Sequence, residues 1–354
     1  MYQLNEKIRD LIPYEPIQGD YRIRLDANES FLSVPEKVAE EIRAAVSSVP
    51  FHRYPDSAAS EACGAFARYY GISPENVTAG NGSDELISVL ISAFLKKGDT
   101  IVTLSPDFSM YRFYSSIDEA NCIELQKRED LTIDVEELIG QARGTKARMI
   151  VFSNPCNPTS LGLSREQVRH LIRSVDALVV LDEAYMDFWD QSLLGEVCNY
   201  DNLVILRTCS KAFGMAAIRL GFAVANPTLT RAIRAVKSPY NVNSVTQKIG
   251  SVVLSHRGLI EKSVGKILSS RVELETMLKE IFASVPGVEV YESCTNFVLV
   301  RTPDAQEIYR ALMKDGIAVR LLGGFLRITA GAQEENAAVA AALKKRKEKG
   351  WKAE

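Results

Sequence analysis

Asp182 directly follows the apolar run Leu178-Val179-Val180-Leu181 and is itself followed by Glu183, Ala184 and Tyr185. Lys211 closes the stretch Arg207-Thr208-Cys209-Ser210-Lys211, which another apolar run, 203–206, delivers. Asn157 lies within Ser153-Asn154-Pro155-Cys156-Asn157-Pro158-Thr159, after a third strand-like run at 148–152. Ser83 and Asp84 open a helical pattern just after Asn81-Gly82, where backbone N–H groups have no intrahelical acceptor and suit an anion. A lysine that is desolvated or set beside cations loses its proton readily, which fits it for covalent carbonyl chemistry and for proton transfer. Taken singly, each feature has an ordinary reading. Asp182 caps a helix, Asn157 makes a turn between prolines, Lys211 sits at the surface, and every helix begins somewhere. Their conjunction and order carry the argument.

The elements that must position them follow from patterning. Residues 83–97 predict a helix, with Ser83 able to cap it, acids in its first turn, lysines in its last and Gly98 beyond. Short β-rich runs come at 100–104, 148–152, 177–181, 203–207 and 221–225, with helical periodicity between most of them, as at 164–173. Several runs are apolar throughout, as strands covered on both faces should be. Such alternation predicts an α/β domain with a large, mainly parallel sheet. In an open α/β sheet ligands bind at the carboxyl ends of strands, where Asp182, Asn157 and Lys211 fall. After Pro239 the pattern changes: a long helical stretch at 245–283 leads into strands at 288–291, 296–300, 318–321 and 325–329, with helices at 304–314 and 334–345. The expected division is a large domain of residues 30–240 and a smaller α+β domain of 1–29 plus 241–354.

Composition removes several alternatives. A chain of 354 residues, 46% hydrophobic with a formal charge of −3, is long enough for two cores and gives no basic footprint for nucleic acid. Its dense basic run, Lys344-Lys345-Arg346-Lys347-Glu348-Lys349, ends a predicted helix and reads as a solvated face. No apolar stretch approaches the ~20 residues needed to cross a bilayer, and the N-terminus is too polar for a signal peptide. Six scattered cysteines without a Cys-x-x-Cys pair, and three dispersed histidines, suggest neither a disulfide framework nor a metal site. A metal-free protein of the cytoplasm is expected.

The segments Asn-Pro-Cys-Asn-Pro-Thr-Ser (154–160), Leu-Asp-Glu-Ala-Tyr (181–185), Ser-Lys-Ala-Phe-Gly-Met (210–215) and Arg219-Leu220-Gly221 resemble, in order and spacing, the fold-type I aminotransferases. The resemblance spans most of the chain and implies pyridoxal 5′-phosphate (PLP) as cofactor. By it, Lys211 forms the Schiff base and moves the substrate's Cα proton, and Asp182 pairs with the pyridine nitrogen, keeping the ring an electron sink. Tyr185 and Asn157 bond the ring's O3′. Arg219, Ser210, Thr208 and the N–H groups of Ser83 and Asp84 take the cofactor phosphate. Phe108 aligns with the aromatic that stacks on the ring, with Tyr111 a weaker candidate. Arg327, on an otherwise apolar strand, receives a substrate carboxylate. Ping-pong kinetics are implied. The sequence departs from the family at Cys156, usually Asn, at Ser160, usually Gly, and at Ala217, usually Gly. No group with a proposed chemical role is lost, but the turn after Thr159 is open to a different backbone conformation, because Gly reaches φ > 0 more cheaply than Ser.

Finer segments resemble the branch of that family acting on histidinol phosphate: Leu25-Asp26-Ala27-Asn28-Glu29, Arg53-Tyr54-Pro55 and Leu-Arg-Ile-Thr-Ala-Gly at 326–331. That resemblance implies a homodimer in which Tyr54 reaches the partner's cofactor phosphate. It places Tyr14 and Asn28 along the substrate cavity and Arg320 at the substrate phosphate, with 2-oxoglutarate or glutamate as the second substrate. Two sibling activities share these motifs, decarboxylation of threonine phosphate and transfer from aromatic amino acids. A regulatory domain that binds the cofactor without turnover is a rival of another class. It predicts a DNA-binding extension or a missing catalytic group, and Lys211, Asp182 and Arg327 are all present.

Overall fold

The computed structural model describes residues 2–9, 11–13 and 15–348. Seven strands form the central sheet: β1 (Val77–Gly80), β2 (Thr100–Ser105), β3 (Asn121–Gln126), β4 (Met149–Ser153), β5 (Leu178–Asp182), β6 (Leu203–Thr208) and β7 (Gly221–Ala225). Their spatial order is β1-β7-β6-β5-β4-β2-β3. The pairs from β6 to β3 are parallel, while β7 runs antiparallel to both β6 and β1. The fold is thus α/β with a mainly parallel sheet. β4 and β6 are buried along their whole length and β5 from Val179 onward, in keeping with sequences that are apolar up to their last one or two residues. β1 and β3 did not stand out in the sequence. β1 has four residues, and β3 is a half-exposed edge strand of mixed polarity.

Strand order reverses between β2 and β4, which are neighbours although β3 intervenes in sequence. At such a reversal the carboxyl ends of the strands are where an open α/β sheet takes a ligand. Helices α2 (Ser60–Tyr70), α3 (Ser83–Phe94) and α4 (Met110–Ile117) pack on the sheet, preceded in the chain by α1 (Glu36–Ser47). α3 ends at Phe94 rather than at 97, because Leu95 turns extended at φ −112° and ψ 153°.

The helical stretch expected at 245–283 is two helices, α5 (Ser244–Ser255) and α6 (Arg257–Phe282), separated by His256 at φ −97°, ψ 52°. α5 packs on α1 and α2. Val253, Leu254, Ile260 and Ile267 join the core of the large sheet, whereas Leu274, Leu278, Ile281 and Phe282 join a second core. The packing therefore changes hands inside α6, well beyond the boundary near 240 that the sequence suggested. That second core is closed by an antiparallel sheet of β8 (Glu289–Val290), β9 (Phe297–Arg301), β10 (Arg320–Leu322) and β11 (Phe325–Thr329), ordered β10-β11-β9-β8. Helices α7 (Ala305–Lys314) and α8 (Gln333–Glu348) complete it. Ile23 and Leu25, from the N-terminal segment, lie in this core, and Ile23–Arg24 pairs with Ile317–Ala318. Among the described residues, no helix is long and apolar enough to cross a membrane.

Candidate active site

The start of α3 forms one wall. No side chain caps this helix, and its N-cap residue is Gly82 at φ 86°. The strand below approaches closely, since a Cβ on Gly221 would lie 2.3 Å from Ser83 N. Arg219, in the left-handed region at φ 53°, donates from Nη1 to Ser210 Oγ at 3.3 Å and to Ala216 O at 3.1 Å. Its guanidinium also covers Gly82, where a Cβ would meet Nη2 at 2.8 Å. Thr208 Oγ1 accepts the N–H of Ser210 at 3.1 Å. Ser83, Thr208, Ser210 and Arg219 thus enclose a cradle that combines a helix N-terminus, hydroxyls and a guanidinium, the donor set of an anion site. Asp84 shares the helix start, but its carboxylate is turned to the Tyr114 hydroxyl at 2.8 Å, which leaves its N–H as the group able to serve.

Asp182, 5% exposed at the end of β5, accepts from the Tyr111 hydroxyl at 2.9 Å and from the N–H of Ala184 at 3.1 Å. Burial outweighs these bonds and pushes its pKa up to about 6. Tyr111, wholly buried, is therefore the donor that orients Asp182, a role its sequence did not disclose. Phe108 packs edge-on against it, with centroids 5.6 Å apart. Lys211 Nζ donates to Ala27 O at 2.8 Å and lies 5.8 Å from the centre of the Tyr185 ring. Burial, then the charge of Arg327, holds its pKa down at about 8. An amine in that state loses its proton close to neutrality. The Tyr185 hydroxyl accepts from Asn28 Nδ2 at 2.9 Å, and burial raises its pKa.

The small unit contributes Arg327 on β11, 8% exposed. Its Nη1 donates to Asn157 Oδ1 and its Nη2 to Asp26 O at 2.6 Å, with the guanidinium 5.4 Å from the Phe297 ring centre. Arg320 is its register partner on β10. Asn28 does not simply line a cavity: at 1% exposure its side chain joins Tyr185 to Thr329, whose hydroxyl donates to Asn28 Oδ1 at 3.0 Å. Tyr54 is not among the converging residues of its own chain, being 81% exposed and stacked on Tyr240 with centroids 4.7 Å apart. Tyr14 lies outside the described residues. Ser160, where Gly is usual, takes φ 57°, and its hydroxyl bonds Glu292 O at 3.0 Å. The left-handed turn is thus made by serine, at the strain glycine avoids.

The sequence profile of the family described as aminotransferase class I and II matches residues 22–344. The chain belongs to this family. A Clostridium kluyveri histidinol-phosphate aminotransferase is 41% identical to this aminotransferase over 339 residues, covering 94% of this chain and 95% of that one. The Clostridium novyi protein of the same name is 42% identical over 342 residues, with 95% of each chain covered. In fold, the aminotransferase is similar to the crystal structure of histidinol-phosphate aminotransferase from Sinorhizobium meliloti in complex with pyridoxal-5′-phosphate. The TM-score is 0.88 at 24% identity, covering 98% of this chain and 97% of that one.

Proposed function

We propose that this aminotransferase uses PLP to move an amino group from histidinol phosphate to 2-oxoglutarate, in histidine biosynthesis. The observation that carries the reading is the convergence of Lys211, Asp182 and the Ser83–Thr208–Ser210–Arg219 cradle from separate segments of the sheet. Two full-length relatives bearing that name support the substrate.

The residues fit the cofactor. The uncapped start of α3 over Gly221, with Arg219 against Gly82, is a cradle for a phosphate that side chains larger than glycine would fill. When bound, PLP supplies a carbonyl for covalent capture of the substrate amine and a ring that accepts electrons from Cα. Asp182 would face the ring nitrogen, and a cationic N–H there would offset the burial that raises its pKa. Tyr185 and Asn157 would face O3′, and Phe108 the ring. Lys211 Nζ, with its pKa near 8, takes the proton from the substrate's Cα. Arg327 and Arg320, opposite each other across β11 and β10, suit substrates with anionic ends: a phosphate on one, two carboxylates on the other. To receive a carboxylate, Arg327 exchanges its bonds to Asn157 and Asp26 for the ligand's oxygens.

The exposed aromatic residues Phe51, Tyr54 and Tyr240 support a homodimer in which Tyr54 reaches the partner's cofactor phosphate. We place the enzyme in the cytoplasm. The deciding experiment measures amino transfer to 2-oxoglutarate from histidinol phosphate, with phenylalanine and threonine phosphate as competing donors. Faster turnover with phenylalanine, or release of carbon dioxide from threonine phosphate without transfer, overturns the substrate assignment.

A further inference from the structure

Behind the turn that carries Asn157 lies a buried cation that none of these roles uses. Lys127, directly after β3, is 9% exposed, and its Nζ donates to Cys156 Sγ at 2.8 Å and to Thr159 Oγ1 at 3.3 Å. Its own N–H donates to Ser105 O at 2.9 Å, which fixes it at the end of β2, beside the segment that carries Asp107. Both side-chain acceptors are neutral, and a thiol is a weak one. A buried ammonium held by such partners still needs a counter-charge.

Asp107 supplies it. This carboxylate accepts from the Ser153 hydroxyl, from the N–H of Ser153 at 3.3 Å and from that of Phe108 at 2.7 Å. Burial disfavours its ionised form, and the charge of Lys127 is the largest influence opposing that. With its hydrogen committed to Asp107, Ser153 Oγ is free to accept the N–H of Asn157, at 3.1 Å. The chain of contacts links the loop after β2 to the loop after β4.

We infer that Lys127 is a positioning residue: its buried ammonium is the counter-charge of Asp107, and through Ser153 the pair holds Asn157 in place. The inference rests on the PLP reading, in which Asn157 faces the cofactor's O3′. A neutral side chain at 127 leaves Asp107 either charged without compensation or protonated. In the protonated state one oxygen carries the hydrogen, and the three donors now aimed at the carboxylate are no longer all served. In either case the turn under Asn157 loosens.

The test is a double-mutant cycle on the full chain: wild type, Lys127→Met, Asp107→Asn and the double variant. The unfolding midpoint of the apoprotein and, by visible absorbance, the affinity and band position of added PLP are measured for each. Lys127→Met should weaken PLP by roughly tenfold or more, the scale of one lost hydrogen bond to a charged group, and shift the band. Adding Asp107→Asn should recover part of the affinity and of the midpoint, because it removes the stranded carboxylate. Should Lys127→Met fail to fold, folding of the double variant is the expected rescue. The inference is overturned if the two losses simply add, if Lys127→Met behaves as wild type, or if the double variant fails to fold while Asp107→Asn alone folds. A wild type that takes up no PLP sinks the functional reading instead, and the unfolding midpoints of the four proteins still decide the charge coupling.

Discussion

Replacing Asp182 by Asn should make the apoprotein more stable and, at the same time, useless for catalysis. Burial lifts the Asp182 carboxyl from 3.8 to about 6, although Tyr111 and the N–H of Ala184 both favour its charged form. The folded state therefore binds a proton more tightly than the unfolded chain. Below about pH 4 both states are protonated and the residue is neutral in effect. As pH rises from there to about 6 the unfolded chain releases its proton first, so stability falls, and above about 6 the loss is complete. A shift of roughly two units at 1.36 kcal/mol each sets that loss at about 3 kcal/mol. Asn is neutral at every pH and can still accept one hydrogen bond, so Asp182→Asn should recover most of this. Denaturant unfolding of wild-type and variant apoprotein, followed from about pH 4.5 to 8, reads the difference directly, because the other titrating groups largely cancel. The gap should widen with pH and level off near 3 kcal/mol, while PLP binding weakens and turnover falls. A gap that stays flat across this range, or a variant less stable than wild type at pH 8, refutes the argument.

Other consequences are more direct. Lys211→Ala should abolish the visible band of bound PLP and lower turnover beyond the ~10²–10⁴ attributable to a general base, because the covalent attachment disappears too. Gly221→Ala would set a Cβ 2.3 Å from Ser83 N, displacing the start of α3. Titration should show PLP and inorganic phosphate both binding more weakly, and thermal melts should show a loss of ~1–3 kcal/mol. A variant that binds phosphate normally would disprove the cradle. Arg327→Lys keeps the charge but loses the fork that spans Asn157 and Asp26. Steady-state kinetics should give a KM for 2-oxoglutarate raised about tenfold, the order of one charge-assisted bond.

The parts of this molecule that could be read from sequence are those whose local pattern and role coincide. β4, β5 and β6 are apolar up to their last one or two residues because both faces are covered, so the polar residues that end each were recognisable as strand-end groups. β3 escaped because an edge strand faces solvent, and Asn-Cys-Ile-Glu-Leu-Gln has no uniform signature. The break at His256 has no proline, and α5 and α6 share helical periodicity, so the pattern ran through it. The division between the cores was illegible for a related reason: an amphipathic helix announces a buried face, not which core will bury it. Tyr111 shows the same limit at the site. On α4 it looks like any core aromatic, and its bond to Asp182 exists only because tertiary packing brings α4 over the end of β5.

What separates the site from the rest of the buried interior is a concentration of arrangements that the fold alone would not favour. Asp182 holds a carboxyl where water is scarce, Lys211 holds an amine whose charge is disfavoured by burial and by Arg327, and Arg219 takes a left-handed backbone conformation without being glycine. Each would be easier to satisfy with another residue: Asn, Met and Gly respectively. They coincide at the carboxyl end of one sheet, within reach of an uncapped helix start, and a ring bearing a phosphate and a cationic nitrogen would relieve the first and occupy the cradle that Arg219 helps to form. Lys211 would be relieved in turn, because a bond to that group's carbonyl carbon would lower the basicity of its nitrogen and so the charge that burial disfavours. One ligand thus answers three separate local conflicts, which is a stronger ground for the assignment than any of the motifs considered singly.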